Sequence, residues 1–188
     1  MTTSTQIANR ALEQIGAQAT VAGLVPNLTG GGAASAAINT LYPGVVAMLL
    51  REQEWEFART TAPLVATGNT PLAGWSYEYG YPADCVRVLQ VVPSAPSAND
   101  PQPVAWSVQD HPIAGTPATV ILADTAAAGL TYITNLVTEA QWDSLFQEAM
   151  VRALAAVLSV ALAGRPDFSR EKMAEAGQIM GVGSGKDS

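Results

Sequence analysis

Four groups of residues in this chain have side chains that chemistry could use. His111 is the sole histidine, it precedes Pro112, and Ser107 and Asp110 lie close enough in sequence to write a Ser-His-Asp set. No nucleophile-elbow pattern accompanies them, and triad members are seldom neighbours in one loop. His111 therefore reads as an exposed loop histidine. Glu52, Glu54 and Glu56 invite a paired-carboxylate reading, in which two carboxyl groups flank a scissile glycosidic bond. Nothing in their spacing builds a cleft, so they read as a solvated edge facing away from Trp55 and Phe57. The stretch GVGSGK near the C-terminus imitates a phosphate-binding loop, but Met180 stands where that motif needs glycine and Asp187 where it needs Ser or Thr. The aromatic set Trp55, Trp75, Tyr77, Tyr79 and Trp106 could stack bases, yet base-stacking proteins add a basic groove. No catalytic residue, cofactor site or metal site is expected. The only cysteine, Cys85, excludes an internal disulfide and any multi-cysteine zinc site.

The elements that must carry these residues follow from periodicity. A first helix is expected after Ser4 or Thr5 as N-cap, with Ile7, Ala8, Ala11, Leu12 and Ile15 on one face and Gly16 at its end. Gly23 to Gly32, with Pro26 and three consecutive glycines, reads as a flexible loop, since no strand–turn–helix setting for phosphate surrounds it. A second helical stretch places Ala37, Ile38, Leu41, Val45, Leu49 and Gln53 along one side, with a kink or a new start at Pro43.

The period then shortens. Trp55 and Phe57 alternate with Glu54, Glu56 and Ala58, and Trp75, Tyr77 and Tyr79 alternate with Ser76 and Glu78. That spacing puts the rings on one packed face of extended chain, as core or subunit contacts. Strands are expected at Cys85–Val92, after a rigid turn Tyr81-Pro82-Ala83-Asp84, and at Val104–Val108, Ala118–Ala123 and Leu130–Asn135. A proline-rich loop fills 93–103 and a turn lies near Asp124–Gly129. Helical period returns after Thr138, where Trp142, Leu145, Phe146, Ala149, Ala153, Leu154, Val157 and Ala161 form a long stripe ending at Gly164 and Pro166. The fold class is α+β. A helical bundle is built from both ends of the chain, with a small antiparallel β insertion and an extended C-terminal tail. One domain spans 1–164 (helical at 1–54 and 138–164, β-rich at 55–137), and the tail spans 165–188.

Composition limits the function classes. The 188 residues are 48% hydrophobic, ample for a core, but only 13% charged, about half the usual share. Such a surface suits contact with other subunits. Nine basic against sixteen acidic residues give a net charge of −7, and no two basic residues are adjacent. Nucleic-acid affinity needs clustered Lys and Arg, so specific DNA binding is not expected, whereas an acidic wall suits a channel through which DNA slides. The N-terminus MTTSTQIANR has no basic region followed by an apolar stretch, so no signal peptide is expected. The uncharged run Ala153–Gly164 is too short to span a bilayer, and no membrane partner is expected.

The order of pieces resembles a known family. IANRALEQIG is followed by LYPGVVAMLLREQEWEFA, then WSYEYGYPADCVRVLQV, then a β segment, then EAQWDSLFQEAMVRALAAVLSVALAG. The most specific parts are Tyr42-Pro43 leading to Trp55-x-Phe57-Ala58, Trp75-x-Tyr77 leading to Pro82-Ala83-Asp84-Cys85 with Arg87-Val88, and Trp142-Asp143. Spanning about Ile7 to Gly164, this is similar to the head-to-tail adaptors of tailed bacteriophages, of the tail tubular protein A type. Glu54 stands where that family usually has proline.

The resemblance implies a structural virion protein at the head–tail interface, made in the host cytoplasm. It implies a ring, usually of twelve subunits, that binds below the portal protein, extends the DNA channel and provides the attachment site for the tail or further connector proteins. It also implies that the C-terminal segment docks on the portal, with Phe168, Met173, Ile179 and Met180 as the docking side chains. An apolar-studded tail ending in Gly and Ser would in any case become ordered only on docking. The alternatives are a tail-associated peptidoglycan hydrolase and a tail terminator ring protein.

Overall fold

Helix formation begins where Thr3 can cap it. In the structure, a computed structural model that describes residues 3–93 and 104–184, α1 runs Ser4–Gln14. The Thr3 hydroxyl accepts from the Gln6 amide while the Gln6 side chain accepts from the Thr3 amide, a reciprocal capping box. Ser4, one of the two expected caps, is instead buried, and its hydroxyl oxygen accepts from the Val25 amide at 3.2 Å.

The segment between α1 and α2 is built, not slack. Asn9 brackets the Val21 backbone with two hydrogen bonds (3.1 and 2.9 Å), and Asn39 does the same to Leu28 (3.1 and 3.0 Å). Gly31 has φ +64°, and a Cβ there would lie 3.1 Å from Val21 Cγ1. Left-handed backbone and close approach both require glycine, so the expected flexible loop is corrected to a fixed turn. From there α2 (Ala33–Glu52) continues through Pro43, which is exposed on the helix surface.

The third helix, α3 (Ser144–Ala163), starts at Asp143, whose carboxylate accepts from the Phe146 amide at 2.7 Å, and stops at Gly164 in left-handed conformation. It packs against α1, α2 and α4 (Pro166–Ser184). Burial of Phe146, Ala149, Met150, Ala153, Leu154 and Leu158 makes α3 the core helix of this part. The expected extended tail is corrected here: residues 166–184 are helical. Phe168, Met173, Ala176, Ile179 and Met180 fall at helical spacing, and α3 offers α4 an apolar surface where Ala176 is fully buried. Arg152 of α3 also pairs with Glu175, and Lys172 meets Glu175 at 2.7 Å. Both α2 and α3 have the length and apolarity to cross a membrane, although 56% of the α3 span is already buried against protein. The uncharged run Ala153–Gly164 understates that length, because Glu148 and Arg152, paired one turn apart, end the uncharged run but not the helix.

The chain divides into two compact units, 1–53 with 137–188, and 54–136. The second unit holds two antiparallel three-stranded sheets, in orders β1-β6-β3 and β2-β5-β4. These are β1 (Arg59–Pro63), β2 (Tyr77–Gly80), β3 (Cys85–Pro93), β4 (Trp106–Asp110), β5 (Thr119–Ala123) and β6 (Ala128–Thr134). Tyr79, Ile121 and Ala123 of one sheet and Val91, Leu130 and Tyr132 of the other form its apolar core. The expected loop at 93–103 lies, past Pro93, outside the described residues.

The expected alternation at the first aromatic set is also corrected. Residues 56–58 form a short 3-10 turn after Trp55, which lets Trp55 and Phe57 meet at 5.9 Å between ring centres instead of pointing the same way from a strand.

Candidate functional site

Each residue singled out by type has a definite place. Glu52, Glu54 and Glu56 are exposed. Glu56 pairs with Arg59 at 3.2 Å and Glu54 lies 3.9 Å from Arg87, so the three do not converge. Ser107 accepts from the Gln109 side chain at 3.3 Å, and the Ser107–His111–Asp110 set is not assembled. Of the phosphate-loop imitation, Lys186 and Asp187 lie outside the described residues.

Among the aromatic residues, Trp55 is buried and Phe57 half-buried. Trp142 stacks on Tyr42 (6.4 Å, 19°) and meets the Phe146 ring edge-on (4.7 Å, 67°). Tyr42 donates to Glu139 at 3.3 Å, and burial first, then the Glu139 charge, pushes its hydroxyl well above the ordinary range. Trp75 lies outside β2, in a turn where its amide reaches Leu72 O at 3.2 Å. Tyr79 is buried and bonds to the Thr125 carbonyl, whereas Tyr77 is 39% exposed. The single packed face expected for Trp75, Tyr77 and Tyr79 is therefore corrected to Tyr79 alone. Tyr77 is the first residue of β2, opposite Ala123.

On α4, Phe168, Met173, Ile179 and Met180 are each half-buried. Lys172 Nζ sits 5.3 Å from the Phe168 ring centre, and Gln53 donates to the Met180 carbonyl. These side chains belong to a packed helix and do not project from a free tail.

The polar centre of the second unit lies on a residue that alternation assigns to solvent. Glu78 is flanked by Tyr77 and Tyr79, yet its side chain is fully buried. The segment 65–67 pairs along the β2 edge, with Gly80 N to Val65 O at 2.9 Å and Thr67 N to Glu78 O at 3.2 Å. Thr67 and Asn69 then donate to Glu78 Oε1 at 2.7 and 2.8 Å. His111 Nδ1 donates to Oε2 at 2.6 Å. Asn69 also bonds the Pro112 carbonyl at 3.0 Å, fixing the loop that carries His111.

Burial alone pushes the Glu78 carboxyl up. The hydrogen bonds from Thr67, His111 and Asn69 and the His111 charge outweigh it and hold the group below its ordinary value. His111 is thus corrected from an exposed loop histidine to the half-buried partner of a buried carboxylate. Sequence reasoning missed the pair because 33 positions separate the two residues, and Glu78 occupies an ordinary outward slot in the alternation.

The second unit holds a further polar cluster. Asp84 accepts from Thr134 Oγ1 at 2.7 Å and Tyr132 OH at 2.9 Å, while its carbonyl accepts from Asn135 N at 3.0 Å. The Thr134 bond above all lowers the Asp84 carboxyl against burial, with help from Tyr132. Burial, then Asp84, pushes the Tyr132 hydroxyl up to about 12. This cluster ties the Pro82-Ala83-Asp84 turn to β6 and reads as structural.

Around His111 lies an open cleft of about 350 Å³, lined by Asp110, His111, Pro112, Pro117, Ala118 and Thr119. Thr119 donates to Asp110 Oδ1 at 2.9 Å. The pair presents an oriented imidazole to this cleft, and no hydroxyl or thiol nucleophile bonds the ring among the described residues. Nor do three or more His, Cys, Asp or Glu side chains cluster to hold a metal ion among them. No known protein family and no curated protein matches the chain.

Proposed function

We propose that this chain is a structural virion protein, the subunit of a head-to-tail adaptor ring. In this reading twelve copies bind below the portal protein, extend the DNA channel without binding DNA specifically, and offer the attachment site for the tail or further connector proteins. The helical parts from both chain ends form the adaptor's bundle, and α4 carries the portal-facing role assigned to residues 165–188.

The observation that carries the reading is where the resembling motifs fall. Tyr42-Pro43 lies within α2, Pro82-Ala83-Asp84-Cys85 forms the turn into β3, and Trp142-Asp143 packs and caps the start of α3. The turn into β3 and the cap of α3 fix backbone geometry at element junctions, and Tyr42 stacks on Trp142. The mixed α+β architecture, the low charged fraction and the net charge of −7 agree with a ring whose channel must let DNA slide.

The experiment adds purified full-length protein to DNA-filled tailless heads that carry their portal, then counts DNA-retaining particles. Retention that rises with added protein is expected. The same DNA loss with and without protein, at concentrations that saturate the portal, would contradict the adaptor role.

A further inference from the structure

Each three-stranded sheet of the second unit has two edges, and the unpaired N–H and C=O groups of an edge strand are a template for another strand. Among the described residues, two of these edges are covered or bent. Segment 65–67 lies along β2, with an Ala66–Tyr79 bridge and the Gly80 N–H donating to Val65 O at 2.9 Å. Strand β3 carries two register irregularities, and its Val91 carbonyl accepts from the Val104 N–H at 3.0 Å. The outer edges of β1 and β4 have neither a covering segment nor a bulge. Each strand runs five residues in unbroken register with its one neighbour. We propose that β1 of one copy pairs antiparallel with β4 of a second copy, so that this chain assembles head to tail through its second unit.

Hydrogen-bond parity and charge set the register. In an antiparallel ladder, alternate residues turn their backbone groups toward the same neighbour. The Leu64 N–H donates to Ala128 O at 2.8 Å, so Thr60 and Ala62 also face β6, while Arg59, Thr61 and Pro63 turn outward. The His111 N–H donates to Ala118 O at 2.9 Å, which likewise turns Trp106, Val108 and Asp110 outward. Outward groups must meet outward groups. Setting Thr61 opposite the second copy's Val108 satisfies this, and it brings Arg59 opposite Asp110 and Pro63 opposite Trp106. Arg59 and Asp110 are the charged residues of the two strands, opposite in sign and both exposed. The Thr119 hydroxyl occupies Asp110 Oδ1 and leaves Oδ2, and a guanidinium with five N–H donors serves Glu56 and a second carboxylate together. The Arg59 amide already donates to Glu56 O, so at that end its carbonyl and guanidinium make the contact. Pro63, without an N–H, ends the ladder and gives Trp106 an apolar ring, and Val108, 39% exposed, becomes covered. A slip of one residue breaks the backbone bonds, and a slip of two separates the charges. The joined edges differ, so the contact repeats head to tail and closes into a ring or continues as a filament. It supplies a contact for the adaptor ring without resting on the adaptor role.

Sedimentation velocity of the full-length chain over a concentration series reads the assembly, with circular dichroism to check that each variant is folded. Wild-type protein is expected to sediment faster as its concentration rises. Arg59→Asp and Asp110→Arg each set like charges across the contact and should weaken association at least about tenfold. An equimolar mixture of the two should recover it, because the altered strands then match each other and so do the unaltered ones. The double variant should recover it for the same reason. Val108→Pro deletes an outward N–H while leaving the β4–β5 bonds in place, and it should weaken association without any change of charge. A wild-type chain that stays monomeric across the series would overturn the proposal, as would a mixture that stays dissociated. Association untouched by Arg59→Asp but lost in Val108→Pro would assign the contact to two β4 edges and overturn it as well. DNA retention in tailless heads by protein that fails these tests would remove the strand contact and leave the adaptor role standing.

Discussion

Truncating Glu78 to alanine should be among the most damaging single changes in the second unit. The substitution removes a fully buried carboxylate that accepts from Thr67, Asn69 and His111 at 2.7, 2.8 and 2.6 Å. Each stranded donor costs about 1–3 kcal/mol when it cannot find another acceptor. Two of the three have partial recourse: Asn69 keeps its bond to the Pro112 carbonyl, and His111, 26% exposed, can reach water. Removing the carboxylate also removes its desolvation cost, which offsets part of the loss. The net expectation is about 3 kcal/mol, the stranded donors' cost less these offsets. Glu78→Gln keeps the shape and one carbonyl oxygen for Thr67 and Asn69, and His111 can switch tautomer to accept from the new amide, so about 1 kcal/mol is expected. Urea unfolding at neutral pH, followed by circular dichroism, measures both. The pH dependence has a definite sign. The folded carboxyl lies below its ordinary value, so its contribution is present above the unfolded pKa of about 4.3 and is lost as pH falls through the folded value. Glu78→Gln should flatten stability between neutral pH and that acid limb. A Glu78→Ala cost within about 0.5 kcal/mol, the range of surface substitutions, would refute the reasoning, as would a Glu78→Gln cost equal to that of alanine.

Other substitutions test neighbouring parts of the structure. Tyr79→Ala should cost roughly 3–5 kcal/mol, as for large aromatic truncations in cores, and Tyr77→Ala about 1 kcal/mol or less because that ring is 39% exposed; urea midpoints compare them. Tyr132→Phe should reduce the loss of stability that sets in as pH rises from about 10 toward 12, since burial first and then Asp84 disfavour the phenolate in the folded state; thermal melts across that range provide the check. Ala114 sits at φ +50° in the turn closed by Ile113 and Thr116. Ala114→Gly should stabilise by about 0.5–1 kcal/mol, because left-handed backbone costs a Cβ-bearing residue about 1–2 kcal/mol and glycine loses more chain entropy. Ending the chain at Gly164 strips Arg152 of its Glu175 partner and uncovers the surface that buries Ala176. A loss of about 2 kcal/mol, or roughly 4–8 °C in melting temperature, is expected in calorimetry.

Helices α1, α2 and α3 and most strands were legible because their signals are local. The Asp143 cap, the Gly164 stop and the apolar stripe between them define α3 without reference to any other element. Cys85–Val92, Ala118–Ala123 and Leu130–Asn135 are β-branched runs bounded by turns, and each coincides with a strand to within a residue or two. What could not be read depends on pairing. β1 is too polar to signal a strand, and it forms because Arg59 to Pro63 register against β6. Glu78 is buried because a distant segment covers its side of β2, and no spacing within 77–80 encodes that. The glycine content of 166–184 argued against order, but the helix is set by the surface α3 offers it and by Arg152 meeting Glu175.

The adaptor reading is tested most directly by cryo-electron microscopy of assembled particles from the genome that encodes this chain, with the protein carrying a small fused tag. Twelvefold density for the tagged subunit directly beneath the portal and around the DNA channel is expected. Particles in which the tag is absent, or lies away from the portal–tail junction, would contradict it.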